Sequence, residues 1–217
     1  MIEATYLSTT RAGYDAIAVD YAERVRSELE ANPLGRAMLA VFAELVQADG
    51  GGPVLEVGSG PGRIAAHLHS LGLSVSGVDL SPAMVALARR EHPGLRFDEG
   101  SMTALDLTDG TLGGLVAWYS VIHIPPERQP PVFAEFHRVL APGGHLLLAF
   151  QVGDEPRHFA EAFGHEVALD FHRLSPDRIA EQLSRAGFTV RARLVRESEG
   201  TEKTPQAHLL AYKPASP

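Results

Sequence analysis

The sequence has 217 residues, of which 45% are hydrophobic, with 19 Lys+Arg against 27 Asp+Glu (net charge −8) and no cysteine. That length and apolar content suit one domain with a full core, while the acidic balance excludes a tight hold on a phosphate backbone, which needs clustered cations. The missing cysteines exclude disulfides, thiolate zinc sites and a cysteine nucleophile.

The longest apolar run, around Leu146 to Phe150, falls far short of the ~20 residues of a membrane span. The opening MIEATYLSTTRAGYDA carries no basic-then-apolar signal pattern. A soluble, cytoplasmic chain with no membrane or nucleic-acid partner is the expectation, and no feature speaks to oligomeric state.

In chain order, the first 50 or so residues read as two amphipathic helices. Ile17, Tyr21, Val25 and Leu29 recur every four residues, and Leu34, Met38, Val41, Phe42 and Leu45 repeat the stripe after Pro33. Gly50 to Gly52 break it. Pro53 to Val57 then reads as a strand, followed by a Gly-rich turn and a helix reaching Leu71. Ser74 to Val78 is a second strand, and Ser81-Pro82 opens a helix to about Glu91. Leu95 to Asp98 and Leu115 to Tyr119 are the third and fourth strands, with a helix over Val132 to Leu140. The turn Ala141-Pro142-Gly143-Gly144 leads into the strand His145 to Gln151. Ser175-Pro176 opens a last helix that stops at Gly187, and Phe188 to Val195 pairs with His208 to Tyr212 around Glu199-Gly200.

Alternating strands and helices predict an α/β fold with a mostly parallel, doubly wound sheet covered on both faces, and the closing hairpin adds an antiparallel strand. The expected organisation is a single domain over 1–217, with a helical preface over 1–50 and the sheet over 53–217.

The first strand ends in Leu55-Glu56-Val57-Gly58-Ser59-Gly60-Pro61-Gly62, where doubly wound sheets bind their ligands. Asp79 stands 21 positions after Gly58, at the end of the second strand, where an acid meets ribose hydroxyls. A dinucleotide would set its pyrophosphate on free N–H groups here. Pro61 removes one of them, and Glu56 adds an anion that would repel a diphosphate and attract a sulfonium or ammonium. The pattern favours S-adenosylmethionine over NAD. No tyrosine is followed four residues later by a lysine, as a short-chain dehydrogenase would require.

Taken together, these segments resemble the class I S-adenosylmethionine-dependent methyltransferases, in their small-molecule branch. LEVGSGPGR is similar to the family's first motif and VDLSPAMVALAR to its second-strand acidic motif. VFAEFHRVLAPGGHLLLAF resembles its helix–turn–fifth-strand signature, LSPDRIAEQLSRAGF its late helix and YDAIAVDYAERV its start. The resemblance implies a Rossmann-like seven-stranded sheet with the last strand antiparallel, and S-adenosylmethionine as cofactor. It implies that Glu56, Gly58 and Gly60 line the methionine end, and Ser59 and Arg63 of the same motif are counted with them. Asp79 would hold the ribose and Leu80 the adenine. Ser101 stands where the family's Asp meets the adenine amino group, with the Met102 backbone beside it. Trp118 and Tyr119 match the place where the backbone meets the cofactor amine. Tyr14 and Tyr21 match tyrosines that close over the sulfonium, and fit equally the buried face of an amphipathic helix.

Methyl transfer depends mainly on positioning the acceptor ~3 Å from the methyl carbon, in line with the breaking bond. The candidate catalytic base is His123, in SVIHIPPE beyond the fourth strand; the alternative is a structural histidine capping that loop. His158, His165 and His172 recur every seven residues without an accompanying acid triad, so no metal is expected, and His172 is placed at the substrate mouth by the resemblance. The helical preface is expected to close over the cofactor as a lid. The acceptor is expected to be a small molecule methylated on oxygen or nitrogen, in secondary metabolism on grounds of fold analogy and arginine-rich, lysine-poor composition. An NAD-dependent oxidoreductase and a non-catalytic cofactor-binding regulator are the alternatives.

Overall fold

A computed structural model describes residues 2–215. Each cap predicted from a Pro or Ser-Pro signal forms. Asn32 opens α2 (Pro33–Ala48) by accepting from the Gly35 N–H at 2.8 Å. Ser81 opens α4 (Pro82–Glu91) by accepting from Met84 N–H at 3.1 Å, and Ser175 caps α6 (Pro176–Arg185) through Arg178 N–H. Such caps each contribute ~0.5–2 kcal/mol. A long first helix, α1 (Ile2–Val25), precedes them, and α3 (Arg63–Ser70) and α5 (Gln129–Val139) complete the helices. Among the described residues no helix is long and apolar enough to cross a membrane.

Seven strands form one sheet: β1 (Val54–Val57), β2 (Val75–Asp79), β3 (Arg96–Glu99), β4 (Leu112–Trp118), β5 (Leu140–Gln151), β8 (Thr189–Arg196) and β9 (Gln206–Tyr212). Their order is β3-β2-β1-β4-β5-β9-β8. The pairs among β1 to β5 are parallel, and β9, the last strand, runs antiparallel to both neighbours. The sheet is thus mostly parallel and doubly wound, as expected. Its strand order reverses beside β1, where β2 lies on one side and β4 on the other, so the carboxyl ends of these strands border a crevice.

Alternation along the strands sorts the core into two layers. Leu55, Val57, Leu115, Ala117, Leu146, Leu148 and Phe150 face α5 and α6, packing on Phe133, Phe136, Ile179 and Leu183. Val54, Val116, Leu147, Ala149 and Leu210 face α2, α3 and α4 through Leu39, Phe42, Ile64, Leu68 and Val85. A small third cluster, Ala18, Ala22, Met84 and Leu87, ties α1 to α4.

Three differences from the sequence reading have local causes. The fifth helix starts at Gln129 rather than Val132, because Pro130 and Pro131 sit in a first turn whose N–H groups have no helical partner anyway. The predicted turn at 141–144 lies inside β5 as an irregularity of its pairing with β4, and Gly143 (φ 84°) donates there to the Lys213 carbonyl at 2.7 Å. The segment between Gln151 and Ser175, to which the sequence reading assigns no element, holds a separate antiparallel ribbon, β6 (Pro156–Ala162) and β7 (His165–His172). Its tip, Phe163-Gly164, has both φ values positive (52° and 79°), as a primed hairpin turn requires, but lacks the usual Asn-Gly sequence. The ribbon packs on α1, with Leu169 filling the notch left by Gly13.

Gly77 of β2 is fixed by close approach: a Cβ there would lie 2.6 Å from the ring of the buried Phe97 and 2.8 Å from Ser59 Cβ. Replacing Gly77 with Ala is expected to cost ~1–3 kcal/mol by overpacking. The same change at Gly94, around which a Cβ meets nothing within 4 Å, is expected to stay within ~0.5 kcal/mol. Urea melts of the two variants compare them directly.

Candidate active site

The turn after β1 is built from left-handed residues: Gly58 (φ 66°), Gly60 (φ 51°) and Gly62 (φ 83°). A Cβ on Gly58 would fall on Ser120 Cβ, whereas one on Gly60 would meet only the Tyr21 ring at 3.9 Å. The backbone donors of this turn are committed within the protein. Gly58 and Ser59 N–H both donate to the Val78 carbonyl (2.8 and 3.1 Å), and Gly62 N–H donates to the Ser59 carbonyl at 2.9 Å. Gly60 N–H donates to Asp79 Oδ2 at 2.7 Å, and Pro61 has no donor. From Gly58 to Gly62, therefore, no N–H is left over for a phosphate, which needs several.

Asp79 ends β2 and is held on both oxygens, since Ser81 N–H donates to Oδ1 at 2.8 Å. Ser81 Oγ in turn donates to Asp15 Oδ1 at 2.6 Å, which fastens α1 to the start of α4. Burial pushes the Asp79 carboxyl above its ordinary range, against the pull of the backbone donors, and the nearby Asp15 charge adds to the rise. Burial likewise pushes Glu56 up to about 8. At the crevice, Asp79 is thus a carboxyl whose charged form is poorly solvated, a setting that favours a cationic ligand and disfavours an anionic one.

Glu56 occupies a different place from the one expected. Strand alternation turns it, with Val54, toward the helix face of β1, and it is 2% exposed beneath α3, accepting from Ala65 N–H at 2.8 Å. It does not line the crevice. Neither do Ser59, whose hydroxyl is buried without a hydrogen-bond partner among the described residues, nor Arg63, which pairs at 2.8 Å with Glu28 of the α1–α2 connection. The acidic group at the crevice is Asp79.

The remaining predicted residues are brought together around one cavity: Gly58 and Gly60 after β1, Asp79 and Leu80 after β2, Ser101 and Met102 after β3, and Trp118 and Tyr119 at β4. Tyr119 holds a positive φ (53°) while its N–H donates to the Ala149 carbonyl at 2.8 Å. Ser101 Oγ lies 2.8 Å from Thr103 Oγ1. Across the top runs α1, contributing Tyr14 and Tyr21, whose rings meet edge to face at 5.5 Å. Sequence reasoning missed Tyr6, Thr10 and Met84 of the wall. The signal was available, because Tyr6, Thr10 and Tyr14 recur every four residues and so share a helix face.

His123 closes the short 3₁₀ turn after β4. Its Nδ1 lies 2.9 Å from the backbone carbonyl of Asp170 in β7 and its Nε2 lies 2.8 Å from the Tyr14 hydroxyl. Both ring nitrogens of the expected base are thus engaged. His123, Tyr6 and Thr10 also border a second cavity of about 220 Å³ between α1 and β7, with Thr5, Thr9, Asp170 and His172 on its walls. Along the ribbon, His158 Nδ1 lies 2.7 Å from Asp170 and His165 Nε2 lies 3.4 Å from Asp20. His172 makes no hydrogen bond among the described residues, and burial lowers its pKa.

Residues 54–144 match a family model described as a methyltransferase domain. The demethylmenaquinone methyltransferase of Chlorobaculum parvum is 37% identical over 92 residues, covering 42% of this chain and 37% of that protein. The chain thus spans well under two thirds of the length of such curated relatives. Among solved structures, DhpI in complex with SAH has a TM-score of 0.73 at 21% identity, over 96% of this chain and 97% of that one. The glycopeptide N-methyltransferase MtfA complexed with S-adenosyl-L-methionine has a TM-score of 0.62 at 21% identity, over 81% and 94%. At such identities the likeness speaks for the fold.

The buried Glu56 carries a stability cost that depends on pH. Its folded pKa of about 8 exceeds the ordinary 4.5, so the folded state binds a proton that the unfolded state has released between those values. Its contribution is complete below pH 4.5 and is lost as pH rises through about 8. Glu56→Gln keeps an acceptor for Ala65 N–H and is expected to raise the melting temperature by several °C at pH 8, with little change near pH 4.5, as thermal melts across pH would read.

Proposed function

We propose, for a chain that belongs to the class I S-adenosylmethionine-dependent methyltransferase family, that it moves a methyl group from S-adenosylmethionine to an oxygen or nitrogen of a small molecule. The observation that carries this reading is the commitment of every backbone donor from Gly58 to Gly62 inside the protein, beside the half-buried carboxylate of Asp79. That arrangement suits a cationic nucleoside and leaves no donor of the turn itself to hold the diphosphate of a dinucleotide.

In this reading Asp79 holds the ribose hydroxyls through the lone pairs its two backbone donors leave open. Leu80, Met102 and Ser101 receive the adenine, Gly58, Gly60, Trp118 and Tyr119 the amino-acid end, and Tyr14 and Tyr21 cover the charged sulfur. The cofactor supplies a methyl group already attached to a good leaving group. What remains for the chain is to exclude water with α1 and to orient the acceptor, which is where most of the rate enhancement of such a displacement arises.

The second cavity supports a small acceptor. It joins the first at His123, Tyr6 and Thr10, and among the described residues its walls carry hydroxyls, imidazole and Asp170 but no lysine or arginine. An uncharged hydroxyl- or amine-bearing compound suits that wall better than a phosphate or carboxylate. His172, whose pKa is lowered by burial, is the side chain there with a ring nitrogen open to an acceptor's proton. The lid over 1–50 belongs to the same reading, with α1 as its covering part.

Titration calorimetry with S-adenosylhomocysteine and with NAD tests the cofactor: micromolar binding of the first and none of the second is expected, and the reverse would sink the reading. Labelled methyl appearing on a member of a small-molecule panel would separate an enzyme from a cofactor-binding regulator. Asp79→Ala is expected to weaken S-adenosylhomocysteine by ~1–3 kcal/mol through lost charge-assisted hydrogen bonds. It should also lower the melting temperature, because the tie to Gly60 goes with it; affinity equal to the parent's would reject the ribose assignment.

A further inference from the structure

The contacts of His123 assign its protons. The Asp170 carbonyl at 2.9 Å can only accept, so Nδ1 carries the hydrogen. Burial holds the ring's pKa down at about 4, which leaves it neutral at physiological pH with a single lone pair, on Nε2. That lone pair faces the Tyr14 hydroxyl at 2.8 Å, and Tyr14, whose own pKa is raised by burial, keeps its proton and donates it. The ring is further fixed by edge-on contacts with Tyr14 (5.1 Å) and Phe171 (4.8 Å). Three elements remote in sequence meet at one imidazole: α1 through Tyr14, the turn after β4, and β7 through Asp170.

We propose that His123 is a positioning residue, which clasps α1 against β7 and orients the Tyr14 hydroxyl so that its oxygen lone pairs are left for the cofactor cavity. Resting on the methyltransferase reading above, this gives Tyr14 a defined role, in which its oxygen, with the proton turned to His123, offers electron density to the positively charged region of the ligand. His123 does not act as the proton acceptor in this arrangement. Its one available lone pair is occupied, and taking an acceptor's proton would require releasing Tyr14 and with it the cover of the site. The clasp also couples the two cavities, because the same ring borders both.

The test combines two readouts on four proteins besides the parent: Tyr14→Phe, His123→Leu, the double variant, and His123→Gln, which retains an acceptor for the tyrosine proton. Calorimetric titration with S-adenosylhomocysteine is expected to show each of the first two weakened roughly three- to tenfold. The double variant should be no weaker than the worse single one, and His123→Gln should recover most of the loss. In the ligand-free proteins, amide exchange along α1 should quicken in Tyr14→Phe and His123→Leu and stay near the parent's rate in His123→Gln. Additive losses in the double variant, or parental exchange in α1 of Tyr14→Phe, would overturn the clasp. A parent that binds no S-adenosylhomocysteine would sink the cofactor reading instead, while the exchange rates of the ligand-free proteins still decide the role of His123.

Discussion

The hydrogen bond from Gly60 N–H to Asp79 Oδ2 is the tie on which the site depends. It joins the turn after β1 to the end of β2, across the position where the strand order reverses. It also removes the one donor in that turn that a ligand's phosphate would most need, since Gly58, Ser59 and Gly62 already donate to carbonyls and Pro61 cannot donate. A glycine-rich turn after the first strand of a doubly wound sheet is shared by several cofactor classes. What separates them here is where the N–H groups point, and Asp79 decides that for Gly60.

The electrostatic consequence runs through the rest of the pocket. Glu56 is buried beneath α3 and Asp79 half-buried at the crevice, and desolvation pushes both toward protonation, with Arg63 the near cation that eases Glu56. Burying such groups opposes folding unless something offsets the lost hydration. Backbone donors do part of this: Gly60 and Ser81 for Asp79, and Ala65 for Glu56. At Asp79 a cationic ligand would supply the rest, so there the fold and the proposed cofactor share one electrostatic balance.

Much of this was legible in the sequence, and the rest was not, for reasons that can be named. Strand-to-helix switches, the helix start at Pro33, the Ser-Pro caps and the spacing from Gly58 to Asp79 are local signals, and they led to the sheet, its helices and the position of the crevice. Glu56 was misplaced because a side chain's direction follows from strand pleat and helix packing; its neighbours Leu55 and Val57 point to the opposite layer. The β6–β7 ribbon was missed although Val167, Leu169 and Phe171 alternate along β7, because β6 is mostly exposed without such alternation and the turn has Phe163 where asparagine is usual. His123 was found as a residue, but its engagement could not be read, since its partners lie 109 and 47 positions away.

The division of the walls between elements has a further implication. The first cavity is lined mainly from strand ends of the central sheet, whose cores are fully buried. The second is lined by α1 and β7, which lie outside that sheet and meet it through the small α1–α4 cluster, the Asp15–Ser81 bond and the His123 clasp. Substitutions in the ribbon and on the outer turns of α1, other than at Phe171 and Tyr6, which pack against the first core layer, therefore leave the two core layers intact. In the proposed reading, acceptor choice can change through such substitutions while the cofactor site is held constant by the sheet. Leu169 against Gly13 marks where that freedom narrows, because a Cβ at position 13 would lie 2.7 Å from the Leu169 side chain, which would have to shift.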